Sequence, residues 1–201
     1  MAKRANRTGR TAVLKELKEF ARNGIWSDDD FGQVLADETD RGCVIILVTI
    51  LDDVLGAELQ KHMRPLSNDD ADRLFEFGAP IGTFSARIKL AYAMEIIDKS
   101  TRNSLEVLRH MRNACAHSRS GICFKDVELR NALGLLFDDS EERAWVVEDR
   151  NPLLARIHFM AAIRFVMAKI AGATDEDATK AASWIYEILK REIDADIQAS
   201  R

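Results

Sequence analysis

Three prolines and ten glycines leave this chain of 201 residues poor in turn-forming residues. That excludes a sandwich or barrel of many short strands and leaves room for long helices. Cysteine is scarce as well: Cys43, Cys115 and Cys123 are an odd number without framework spacing, which argues against a secreted disulfide scaffold and fits reduced thiols in a cytoplasmic protein. Long hydrophobic runs are missing. The longest, Cys43 to Leu51, is too short to span a bilayer, and Leu153–Ile170 is interrupted by Arg156, His158, Arg164 and Lys169. No signal peptide is visible, so no membrane association is expected. Nucleotide-binding loops, metal-ligand clusters and hydrolase elbows are absent too. His110, Cys115, His117 and Cys123 lack the paired spacing of a zinc site, and Gly82-Thr-Phe-Ser85-Ala lacks the last glycine of an elbow. Neither metal nor cofactor is expected. Trp26, Trp145 and Trp184 are too scattered to form a stacking platform for single-stranded nucleic acid.

What is there is a soluble composition, 47% hydrophobic and 31% charged, with helical periodicity along most of its length. Charge is uneven. Lys3, Arg4, Arg7 and Arg10 give the first ten residues four positive charges and no acid, so with a net charge of -4 the remainder carries about -8. The first ten residues read as a flexible basic arm, able to touch phosphates or serving only solubility. Residues 11–201 read as a single all-helical domain, an all-α bundle of about seven or eight helices.

Several boundaries can be placed. Thr11–Arg22 is amphipathic through Val13, Leu14, Leu17 and Phe20, and Asn23-Gly24 ends it. Ser27 and the aspartates after it start a stretch running to about Met63, with a break near Ala36–Asp40 as one option. Its apolar part from Cys43 to Leu55 should form the central helix. Asn68 is expected to cap a short helix to Phe77, Thr83 to start one through Ile97, and Ser100 or Thr101 to cap the next. Lys125–Phe137 reads as helical and Asp138–Arg150 as irregular. Asn151-Pro152 and Thr174-Asp-Glu-Asp177 open the last two helices, the first ending at Gly172.

The chemistry on offer lies at the end of the helix over Leu105–His117. Arg112, Asn113 and His117 combine a guanidinium, an amide and an imidazole that changes charge near neutral pH, a set able to bind phosphate and move a proton without metal. A five-residue offset separates Arg112 and His117 by about 140° on an ideal helix. They converge only if the last turn unwinds or if they meet across a symmetric dimer. The alternative is architectural, with Arg112 paired to a buried aspartate and His117 capping the helix end. Asp52 and Asp53 lie in the central apolar helix, where at least one carboxylate needs a partner. Arg87 or Arg41 can supply it, or Asp53 can orient Arg112 or His117.

Arg112-Asn-Ala-Cys-Ala-His117 resembles the Arg-x4–6-His signature of HEPN domains. That resemblance implies either a metal-independent ribonuclease, with His117 as base and Arg112 on the phosphate, or a catalytically silent binding module. Three blocks together resemble the mannitol operon repressor family: Asp40-Arg-Gly-Cys-Val-Ile-Ile-Leu-Val-Thr-Ile-Leu-Asp52-Asp53, Gly82-Thr-Phe-Ser85-Ala-Arg87-Ile-Lys-Leu-Ala-Tyr92-Ala, and Leu108-Arg-His-Met-Arg112-Asn-Ala-Cys-Ala-His117-Ser. They span roughly residues 35–135. This resemblance implies an all-helical regulatory protein, expected as a homodimer, that acts through a protein or ligand without a familiar DNA-binding motif. Asp52, Asp53, Arg87, Arg112 and His117 then form a ligand-binding or structural polar cluster. Nucleic acid remains a possible partner through the basic arm.

Overall fold

The computed structural model describes residues 38–137, 151–183 and 185. The chain divides between Glu38 and Thr39, and the helices described below all belong to the second unit. The basic arm (Lys3, Arg4, Arg7, Arg10), the boundary after residue 10, the helix over Thr11–Arg22 and the segment Asp138–Arg150 lie outside the described residues. Those that are described fold as an all-α bundle of seven helices with no strand among them. None is long and apolar enough to cross a membrane.

Helix α1 (Asp40–Lys61) is the centre. Thr39 caps it, its side chain accepting the Gly42 N–H at 3.0 Å. This helix thus starts within the interval Ala36–Asp40, and the start expected at Ser27 lies outside the described residues. Cys43, Val44, Leu47, Val48, Leu51, Leu55 and Leu59 are all fully buried. A helix this apolar around its circumference is stable only with neighbours on several sides. Helices α3 (Phe84–Ala93), α4 (Lys99–His117) and α6 (Pro152–Ile170) supply them. α6 opens as its Asn151-Pro152 start implies, the Asn151 side chain accepting the Leu153 N–H at 3.1 Å. Between these long helices lie the short α2 (Asn68–Phe75) and α5 (Val127–Gly134). The last helix, α7, begins at residue 175, capped by Thr174.

α2 stops at Phe75 rather than Phe77 and α5 covers only Val127–Gly134 of the expected Lys125–Phe137, and three further departures lie in the capping chemistry. Ser67, not Asn68, caps α2. Its hydroxyl accepts the Asp70 N–H and donates to the Asp70 carboxylate at 2.7 Å. Asp98, rather than Ser100 or Thr101, caps α4, accepting the Thr101 N–H at 2.7 Å. That bond holds its carboxyl below the usual aspartate range even against partial burial.

The third departure is α3, which ends at Ala93 instead of running through Ile97. Ile96 N–H reaches back to Ala91 O at 2.9 Å and Glu95 N–H to Tyr92 O at 3.1 Å, which makes a Schellman end with Glu95 at φ 57°. The same pair of bonds ends α6, where Gly172 takes the left-handed position at φ 83°. Glycine adopts that conformation without the steric penalty that glutamate carries. Glu95→Gly should therefore raise stability by about 0.5–1 kcal/mol, read as a higher urea midpoint with an unchanged slope.

Asp40 fastens the first turn of α1 to two distant segments. Its carboxylate accepts the Phe124 N–H at 2.9 Å and faces the Arg156 guanidinium of α6 at 3.4 Å. Phe124 is thereby held against Phe159, ring centroids 5.6 Å apart, in the middle of the core.

Candidate functional site

The polar cluster begins on α1, where Asp52 and Asp53 are adjacent and so point about 100° apart. Asp53 faces water, its side chain 80% exposed, whereas Asp52 turns inward at 18%. Arg87 from α3 meets Asp52. Its Nη1 donates to Asp52 Oδ1 at 2.7 Å and to the Asp52 backbone carbonyl at 3.1 Å. Nη2 donates to Phe75 O at 3.1 Å and Nε to Ile81 O at 3.1 Å. The guanidinium also lies over the Phe75 ring, 5.7 Å from its centroid. Gly56, one turn beyond Asp52, leaves the room this needs: a Cβ there would sit 3.2 Å from Nη1.

One side chain thus ties α1, the end of α2 and the start of α3 together. Asp53 Oδ1 stands 4.0 Å from the same nitrogen. Burial pushes the Asp52 carboxyl above its ordinary 3.8, opposed by the charge of Arg87, reinforced by Asp53 and opposed again by Arg112.

Arg112 enters this cluster from α4 as a charge. It is half-buried, its Nε shut off from solvent and without a hydrogen-bond partner. Asn113 beside it is half-buried as well, while His117 is exposed. Helix α4 remains intact through His117, and the next N–H, Ser118, donates to Ala114 O at 3.0 Å. Unwinding of the last turn, one of the two routes the sequence left for convergence, does not occur. Within the chain Arg112 and His117 point about 140° apart. Nor does Arg41 reach Asp52; its Nη2 donates to Ala116 O at 3.3 Å, placing a cation at the C-terminus of α4.

Two open grooves lie elsewhere. One of about 530 Å³, mainly apolar, runs between α4 and α5 and includes His110 and Met111. Another of about 550 Å³ lies where α4, α6 and α7 meet, with Lys169 between Asp98 and Asp175. Neither includes Arg112 or His117. Among the described residues no group of three or more His, Cys, Asp and Glu side chains could hold a metal ion.

Two features escaped the sequence reading. The Asp40–Arg156 pair carried a signal, since an arginine in a helix as apolar as α6 demands a partner. The other is Phe77, 99% exposed in the turn between α2 and α3. Leaving such a ring in water forgoes about 1.5–3 kcal/mol of burial. The sequence reading put Phe77 at the end of the short helix from Asn68, but that helix stops at Phe75 and leaves the ring in the turn.

No family model and no curated protein sequence matches the chain. Among solved structures it is similar to a chain of the MtlR–HPr complex from Escherichia coli, determined by X-ray crystallography. The two are 22% identical with a TM-score of 0.56, over 70% of this chain and 98% of that one. At this identity the likeness establishes a shared helical fold, and the resemblance to mannitol operon repressors read from the three blocks is in keeping with it.

Proposed function

We propose that this chain is a regulatory protein of the mannitol-operon-repressor kind that acts by binding a protein partner, with HPr the first to try. The observation that carries the reading is the intact end of α4, which parts Arg112 from His117, while Asp52 and Arg87 are occupied with holding helices together. Support comes also from the fold it shares with a protein solved in complex with HPr. The homodimer expected from the resemblance belongs to this proposal, as does regulation without an enzymatic step.

A HEPN-type ribonuclease needs an imidazole and a guanidinium aimed at one phosphate. The pair that the signature requires, Arg112 and His117, points about 140° apart on the intact α4 and lines neither groove, so the described residues of one chain do not bring it together. Incubating the full chain with single-stranded RNA in EDTA should give no cleavage above the buffer control. Cleavage that disappears in His117→Ala would overturn the proposal in favour of catalysis across a dimer.

A further inference from the structure

Backbone hydrogen bonds and the Arg87 side chain hold the turn that carries Phe77. Ile81 N–H donates to Leu74 O at 2.9 Å, Ala79 N–H to Glu76 O at 2.9 Å and Gly82 N–H to Ala79 O at 3.0 Å. Arg87 grips both ends of it, through Phe75 O and Ile81 O. The backbone that carries the ring is therefore held, so the ordering cost that remains when the ring is covered is mainly that of the side chain itself.

The surroundings are acidic. Residues 68–82 contain Asp69, Asp70, Asp72 and Glu76 against Arg73 alone. Asp69, Asp70 and Asp72 are exposed, and so is Asp53 beside the Arg87 clamp. An acidic segment of this kind disfavours nucleic acid and anionic membranes. A second copy of this chain, with a net charge of -4, is a poor electrostatic match as well.

Resting on the protein-partner reading above, we infer that the α2 helix and the 76–82 turn form the docking surface for a partner protein, one offering an apolar pocket for Phe77 inside a basic rim. The ring is the anchor, and the acids set the approach and the salt dependence.

The test is a titration of full-length wild type and variants with HPr from the organism that makes this chain. Phe77→Ser should weaken binding about 30-fold or more while leaving the melting temperature unchanged. Asp69→Asn with Asp72→Asn should slow association and flatten the dependence on salt. If Phe77→Ser binds as wild type does, the docking surface is wrong and the protein-partner reading stands. If wild type does not bind HPr, that partner assignment and this surface fall together. If Phe77→Ser alters self-association in sedimentation and not HPr binding, the ring serves a second copy and the inference is overturned.

Discussion

Arg87→Ala is expected to lower folding stability by about 3–5 kcal/mol, the range for breaking a largely buried ion pair from one side. Three terms contribute. The Asp52 carboxylate loses its closest cation, the carbonyls of Phe75 and Ile81 lose donors, and the Phe75 ring loses the guanidinium above it. The loss should depend on pH. Asp52 already sits above 3.8 because of burial, and removing Arg87 takes away the largest influence pulling it down. A carboxyl whose folded pKa is raised binds its proton more tightly folded than unfolded, so stability falls as pH rises from 3.8 through the folded value. The gap between wild type and Arg87→Ala should therefore be wider at pH 7 than at pH 4, measured by urea unfolding at both. A gap that narrows toward neutral pH would mean that Asp52 is not the partner that matters.

Gly82→Ala is expected to cost about 2–4 kcal/mol, as a steric conflict fixed in backbone does. A Cβ at residue 82 would lie 2.0 Å from the Glu76 carbonyl oxygen and 3.0 Å from its carbon. Neither is the end of a flexible side chain that can swing away. Relief requires the 76–82 turn to open, which also disturbs the Ile81 carbonyl that Arg87 holds. Its signature is a joint loss of stability and of HPr affinity. Phe77→Ser should show the second loss without the first, because Phe77 is almost fully exposed. Chemical denaturation and titration on the same preparations separate the two. Wild-type stability in Gly82→Ala would show that the turn has a second accessible conformation.

How much of the fold was legible depends on where the controlling forces act. The apolar run from Cys43 to Leu55 announced a central helix because burial on several sides leaves no polar face in the sequence. Asn151-Pro152 and Gly172 announced the ends of α6 because capping chemistry is local. Glu95 hid the end of α3, since a left-handed residue that is not glycine carries no mark of its conformation. Asp98 hid the start of α4 for a related reason: Asp98, Ser100 and Thr101 are all good caps within four residues, and side-chain chemistry alone does not choose among them.

At the site, Asp52 could be recognised as needing a cation. Choosing Arg87 over Arg41 required the packing of α3 on α1, which no spacing along one helix encodes. The Arg112/His117 offset was readable as divergence only once α4 was known to continue to its last residue. Phe77 was invisible for the opposite reason. Its importance lies in what does not cover it.

The most direct measurement is a calorimetric titration of HPr into the full-length chain and into His117→Ala. Protein docking that leaves the α4 end uninvolved gives saturable heat in both, with the same affinity. Absence of binding by wild type would contradict the account at its centre, and binding lost only in His117→Ala would return the function to the end of α4.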